Sequence, residues 1–380
     1  MGVLTTGREQ SLAAAWDTVR QDATRFGERL TGHHNSNYVI DLAPGMAERL
    51  RFEAHTPVKV RVPLDGSLKV VERVWPDEGE ILNALQRTAV VENTPRHYVG
   101  LGGFSVHEYV PGQALAEVCA PGKPVDPFVV DAIVGQMAGF TRVSAADLPP
   151  LPAGWAADGD SNAFLRARAD FAEHDVRAAN WADFAPLFAA LEVPANALRW
   201  FRDRMPPLRR RPFALLHGDL HRHNLIVRAD GGLTVVDWEL AMWGDPLHDL
   251  AIHLVRMRYP ADQRPEVIER WRRAVLRVHP EAAAGLERDL PVYTAYERAQ
   301  SLFADTMRVA LALDAHPGPG MVGAGVSRVR AALHLAAVPL RLRRVATRTE
   351  VERALVDWVR KRQRDGVRVP PLRDDIAEAA

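Results

Sequence analysis

Residues 217 to 224 read His217-Gly218-Asp219-Leu220-His221-Arg222-His223-Asn224, and thirteen residues after Asn224 comes Asp237, within Val235-Val236-Asp237-Trp238-Glu239. The apolar runs Phe213 to Leu216, Leu225 to Val227 and Leu233 to Val236 flank these segments and read as short buried strands. A loop bearing Asp219 and Asn224 would then be held from both sides, and Asp237 would be delivered at the end of a strand. Two carboxylates and an amide form the oxygen-bearing set that phosphoryl transfer uses. One carboxylate orients an attacking hydroxyl and takes its proton, and further oxygens hold a divalent ion such as Mg2+ against the phosphates. Asp219 suits the first task, and Asn224 and Asp237 suit the second. The spacing His-x-Asp-x-x-x-x-Asn followed by a strand-borne Asp has several independent parts, so it is far more specific than a lone glycine motif.

The same loop admits a rival. Asp219, His221 and His223 alternate, so on an extended segment they share one face, and two imidazoles with a carboxylate suit zinc. That arrangement gives Asn224 and Asp237 nothing to do. Any single His-x-Asp in a chain with 14 histidines carries little weight, and the specificity comes from the whole constellation.

The positioning elements follow from periodicity. Leu12, Trp16, Val19, Ala23, Phe26 and Leu30 recur at three- and four-residue steps, which predicts an amphipathic helix ending near Gly32. From Tyr38 to Val110 the texture changes to short β-rich runs, Tyr38 to Ile40, Val58 to Val62 and Phe104 to Val110, with one helical patch from Glu78 to Leu85. Beyond Pro111-Gly112 the pattern is mainly helical. This predicts three regions: an N-terminal helical extension (1–30), a small mixed unit (31–110) and a large helical unit (111–380). Pro149 to Gly159 and Ala315 to Gly325 read as loops. In the large unit Asp245 precedes Pro246 as a helix cap would.

Composition narrows the function classes. Lys+Arg and Asp+Glu are both 48, so no net field draws the chain to nucleic acid or to an anionic membrane. The single Cys119 leaves no internal disulfide and fits a reducing compartment. No run of about 18 apolar residues occurs and the first residues lack a leader pattern, so the cytoplasm is the expected location. A monomer or homodimer is the expected state.

His217-Gly218-Asp219 to Asn224, Asp237-Trp238-Glu239 and Gly244-Asp245-Pro246-Leu247-His248-Asp249-Leu250-Ala251 together resemble the aminoglycoside phosphotransferase family, a branch of the kinase-like superfamily. The resemblance covers residues 30 to about 310. It implies an α+β, two-lobed protein-kinase-like fold, with a small antiparallel-sheet N-lobe and a larger, mainly helical C-lobe. It further implies Asp219 as catalytic base, Asn224 and Asp237 as magnesium ligands, Asp249 as a buried carboxylate bracing the catalytic loop and His217 packed beneath that loop. Thr31 to Val39, with Ser36, stands where the family places its phosphate-covering loop; a plain helix-to-strand turn is the other reading. Val58 to Val62 should carry the phosphate-binding cation. Period two puts Lys59 and Arg61 on one face; alignment to the family favours Arg61, with Lys59 as fallback. Glu78 is the expected helical partner, ahead of Glu80. The backbone at Glu108 and Val110 corresponds to the hinge that holds the adenine or guanine of ATP or GTP.

For the acceptor, Glu297, Ser301 and Asp305 recur at four-residue steps and stack on one helix face, where they could grip a polyamine-like substrate or form an ordinary solvated face. Asp158, Asp160, Asp170, Glu173 and Asp175 make a second acidic stretch. The resemblance points to an O-phosphotransferase acting on a hydroxyl of an aminoglycoside-like or other natural-product antibiotic. The alternatives are a metabolic kinase for homoserine, choline, methylthioribose or a sugar, and a non-catalytic scaffold. Choline kinases usually have Asn where Gly218 stands, which counts against choline.

Overall fold

In a computed structural model, which describes residues 7–30, 35–64, 68–88, 90–315 and 318–366, the chain starts with helix α1 (Gly7–Phe26) and the hairpin of β1 (Glu28–Leu30) and β2 (Asn35–Asp41). Helix α2 (Pro44–Leu50), strand β3 (Pro57–Pro63), helix α3 (Glu78–Thr88) and strands β4 (His97–Leu101) and β5 (Phe104–Glu108) follow. The five strands form one antiparallel sheet in the order β1-β2-β3-β5-β4.

Two details differ from the periodicity reading. Helix α1 stops at Phe26, not near Gly32, and the chain turns at once into β1. Gly27 permits this, because a Cβ there would meet the carbonyl oxygens of Ala23 and Val39. The boundary drawn after residue 30 therefore falls inside a hairpin, and α1 lies on the sheet: Trp16, Val19 and Ala23 share a buried cluster with Val58 and Val60 of β3 and Phe104 and Val106 of β5. Period two then turns Lys59 and Arg61 to the opposite face of β3. Helix α3 takes another side, burying Ile81, Leu82 and Leu85 in the larger core.

That larger core is built from β6 (Gln113–Ala114), α4 (Leu115–Val118), α5 (Pro127–Phe140), α6 (Ser161–Phe171), α7 (Trp181–Ala190), α8 (Ala197–Asp203), β7 (Ala214–Leu216), β8 (Leu225–Val227), β9 (Leu233–Val235), β10 (Met242–Gly244), α9 (Pro246–Arg256), α10 (Gln263–Val278), α11 (Leu286–Ala315), α12 (Pro319–Ala336) and α13 (Arg348–Arg364). Strand β7 pairs with β10, and β8 lies between β6 and β9, all antiparallel. These short ladders clamp the Asp219 loop between β7 and β8 and bring Asp237 out just after β9.

Helix α12 corrects the loop expected over Ala315 to Gly325, since it begins at Pro319. Glycine disfavours a helix in isolation, but here Gly325 lies directly against Val309 and Leu313 of α11, and its missing side chain lets the two helices approach. Packing outweighs propensity. Helix α13, which no motif anchors, opens on a capping box between Thr347 and Glu350 and stacks Trp358 on Phe184 of α7 with centroids 4.9 Å apart. No helix among the described residues is long and apolar enough to cross a membrane.

Candidate active site

The Asp219 loop is braced by one stripe of α9. Asp249, His253 and Arg256 follow at steps of four and three, so they share a helix face, and each meets a different part of the loop. Asp249 accepts from the backbone N–H of His217 (3.1 Å) and of Gly218 (2.9 Å). His253 Nδ1 lies 3.0 Å from the Leu220 carbonyl, and its Nε2 meets the Tyr259 hydroxyl at 2.9 Å. Arg256 Nη1 donates to Asp219 Oδ1 at 2.5 Å. Only Asp249 of these was anticipated from the motif, although a polar stripe on the otherwise apolar run Pro246 to Val255 was a readable signal for the other two.

Beneath the loop, His217 Nδ1 accepts from the Asp219 N–H (3.2 Å) while its Nε2 meets the Val236 carbonyl (3.0 Å), and its ring packs on Trp238. Gly218 has φ +76°, and a Cβ there would strike the Leu240 carbonyl, so the turn needs glycine. Arg222 ties the loop to its surroundings by donating to the carbonyls of Met257, Cys119 and Lys123.

Asp219 is buried, which raises its pKa, but His221 and Arg256 more than offset this and hold the carboxyl well below the usual range. It is therefore an anion throughout the neutral range. Asn224 gives its Nδ2 hydrogens to the Asp219 carbonyl (2.9 Å) and carboxylate (3.4 Å), leaving Oδ1 as its remaining donor oxygen. Asp237 sits at φ +67°, ψ +62°, the left-handed region that Asp tolerates better than most residues.

Across the cleft, Arg61 is buried among three carboxylates. It pairs with Glu78, and its Nη2 lies 3.0 Å from Asp237 and 2.9 Å from Glu239. Glu78 also accepts from the Trp238 N–H at 2.7 Å, whereas Glu80 is exposed. Lys59 stays on the same face. Burial and the nearby Arg61 bring its ammonium down to about 8, against the pull of Asp237 and Glu239. Glu239, to which no role was given from sequence, accepts from Arg61, from Arg73 (2.8 Å) and from Asn35 Nδ2 (3.0 Å). Burial, and then Asp237, push its carboxyl up.

Ser36 lies in β2 opposite Val62, and because β1 pairs antiparallel with β2 the segment joins two strands, which corrects only the helix-to-strand alternative. Residues 31 to 34 of that segment lie outside the described residues. At the hinge, the Glu108 N–H is already donated to the Arg96 carbonyl (2.8 Å), and the chain leaves β5 before Val110.

Asp219, Asn224 and Asp237 line one cavity of about 350 Å³, which extends past Arg256 to Glu297, Ser301 and Asp305 on α11. The oxygen donors of Asn224 and Asp237 match what magnesium prefers. The zinc arrangement does not form. No group of three or more His, Cys, Asp or Glu side chains gathers around a metal position among the described residues, and His221 Nδ1 is taken up by the His223 N–H.

The α11 carboxylates are not offered to a cation. Glu297 is 1% exposed and accepts from Arg256 (3.1 Å), Gln300 and Ser301. Asp305 accepts from Arg328 at 3.1 Å. The second acidic stretch is likewise engaged. Asp158 accepts from the Phe213 N–H, Asp160 caps α6, and Asp170, Glu173 and Asp175 pair with Arg202, Arg177 and Lys69. Asp245 caps α9, bonds Tyr293 and pairs with buried Arg211.

Burial lowers His217 and His253 to about 4 and His248 to about 3. Below pH 6.5 the unfolded chain takes up protons that the fold excludes, so each group costs stability as pH falls from 6.5 toward 4. Asp249, raised to about 6 by burial, acts in the opposite direction below pH 6. A single-site comparison isolates one histidine. His248→Phe should lose stability less steeply than the parent between pH 6.5 and 4, by about 1.4 kcal/mol per pH unit. Urea unfolding at a series of pH values checks it, and parallel curves for the two proteins would refute it.

Comparison with known proteins gives the chain a family. The family model described as "Phosphotransferase enzyme family" matches residues 32–286. Among solved structures, Plasmodium vivax ethanolamine kinase superposes with a TM-score of 0.57 at 13% identity, covering 87% of this chain and 90% of that one. Choline kinase of Streptococcus pneumoniae gives 0.49 at 14%, covering 86% and 99%. Macrolide 2'-phosphotransferase of Brachybacterium faecium gives 0.47 at 16%, covering 82% and 97%. No curated protein matches in sequence. With a kinase-like α+β fold, and with that family's model spanning most of its length, the chain belongs to the phosphotransferase enzyme family.

Proposed function

We propose that this phosphotransferase is a magnesium-dependent kinase that moves the γ-phosphate of ATP or GTP to a hydroxyl of a small molecule. The observation that carries the reading is the meeting of Asp219, Asn224 and Asp237 on one cavity, beside the Arg61–Glu78 pair. The nucleoside triphosphate would lie between the lobes, its base along Glu108 to Val110 and its phosphates toward Arg61 and Lys59. Asn224 and Asp237 would hold magnesium, which when bound neutralises phosphate charge. Asp219 orients the acceptor hydroxyl. Because Arg256 and His221 keep it a weak base, it takes the proton late, as the new O–P bond forms and the bond from the γ-phosphorus to the β,γ-bridging oxygen breaks.

For the acceptor, the first reading is a natural-product antibiotic hydroxyl, aminoglycosides included. A metabolic kinase is the second reading, and the engagement of Glu297 and Asp305 by arginines favours it, since a polycationic acceptor would find no free carboxylate there. Magnesium-dependent ADP or GDP release with aminoglycosides, other antibiotics, choline, homoserine and sugars tests the function. At least one acceptor should raise release above the water-only rate and lose that effect with EDTA. Nucleotide binding without any acceptor-stimulated release would favour the non-catalytic scaffold.

A further inference from the structure

The acceptor end of the cavity holds more cation than anion. Arg256 on α9, Arg308 on α11 and Arg328 on α12 line it together with Glu297 and Asp305. Arg256 is spent: it bridges Asp219 at 2.5 Å and Glu297 at 3.1 Å. Arg308 and Arg328 are left to share one carboxylate. Arg328 takes Asp305 Oδ1 at 3.1 Å, while Arg308 comes no closer to it than 3.9 Å, beyond hydrogen-bond range. Arg308 donates no hydrogen bond to any described side chain, although it is only 22% exposed. Burial, relieved by Asp305 and Asp219 but reinforced by Arg256 and Arg328, lowers its pKa.

A half-buried guanidinium with unused planar donors, beside a second whose carboxylate is already shared, is a receptor for an oxyanion. Two forks can meet carboxylate or phosphate oxygens with paired N–H donors, while an ammonium group would be repelled. We propose that Arg308 and Arg328 bind an anionic group, a carboxylate or a phosphate, carried by the molecule whose hydroxyl Asp219 orients. The acceptor is thus an acidic hydroxy compound and not a polyamine, which narrows the first reading to antibiotics other than aminoglycosides. The inference rests on the phosphotransferase reading for the role of Asp219, but the anion site itself does not need transfer to occur.

The test uses the full chain saturated with magnesium and AMP-PNP, so that the phosphate side is filled. It is titrated calorimetrically with inorganic sulfate, acetate and methylammonium at fixed ionic strength. Sulfate or acetate should bind and methylammonium should not, and whichever of the two binds tighter tells phosphate-like from carboxylate chemistry. Arg308→Met should weaken the anion by on the order of tenfold or more, the scale of a lost charge-assisted hydrogen bond. Asp305→Asn, which frees Arg328, should strengthen it several-fold, roughly the worth of one shielded charge pair. A residue that merely holds the helices together would not give opposite signs. Equal or undetectable binding of all three probes, tighter methylammonium binding, or anion affinity unchanged in Arg308→Met and Asp305→Asn would overturn the site. If AMP-PNP does not bind, the kinase reading fails instead, and the same titration of the nucleotide-free protein and its Arg308→Met and Asp305→Asn variants still decides the anion site.

Discussion

Asp219→Asn is expected to lower turnover by ~10² to 10⁴ while leaving nucleotide affinity within a few-fold of the parent. The side chain keeps its shape, its one amide oxygen can still accept from Arg256 and Asn224 keeps the backbone carbonyl of residue 219, but the anion that Arg256 and His221 stabilise is gone and the acceptor proton has no destination. Steady-state release of nucleoside diphosphate, with calorimetric binding of AMP-PNP in parallel, separates the two effects. A fall in binding equal to the fall in turnover would mean that Asp219 holds the nucleotide or its metal and not the acceptor. Arg256→Met should affect the same step in a milder form, since it leaves the carboxylate in place but releases it from its orienting partner.

Arg61→Met is expected to cost about 3 to 5 kcal/mol of folding stability. Arg61 is 5% exposed and is the cation common to Glu78, Asp237 and Glu239. Burial of a charge is tolerable while it is paired. Taking away the guanidinium strands the nearly buried Glu78, which also anchors the Trp238 amide next to Asp237, and leaves Glu239 with Arg73 as its cation. Urea unfolding measures the loss. A change under 1 kcal/mol would show that the cluster is less dependent on Arg61 than its geometry implies, and retention of tight nucleotide binding in that variant would remove Arg61 from the phosphate site.

What could be read from sequence was whatever the chain keeps local. Asp219 and Asn224 lie on one loop between two short strands, Asp237 follows the next strand, and the period-two placement of Arg61 with Glu78 on the first turn of a helix needs only strand and helix geometry. The arginines around the acceptor end escape that kind of reading. Arg256 is 37 positions from Asp219 and Arg328 is 23 from Asp305, and no short pattern says that such residues will meet. For Arg256 the stripe with Asp249 and His253 on α9 was the available sign. For Arg328 there was none, because the glycine-rich start of α12, whose Gly325 lies against α11, reads locally as a loop. Glu297, Ser301 and Asp305 do share a face as their spacing requires, but spacing cannot tell that arginines from other helices already occupy them. The hairpin of β1 and β2 escaped for a simpler reason: Glu28 to Leu30 is too short to show an alternation.

On the proposed reading Asn224 and Asp237 present their oxygens to one divalent ion while Asp219 faces the acceptor. Crystals grown with manganese and AMP-PNP, with data collected at the manganese absorption edge, test it most directly. An anomalous peak is expected within coordinating distance of Asp237 and of Asn224 Oδ1, touching the nucleotide phosphates, and it should disappear in Asp237→Ala. A peak held by His221 and His223, or a nucleotide bound away from the Arg61–Glu78 pair, would contradict it.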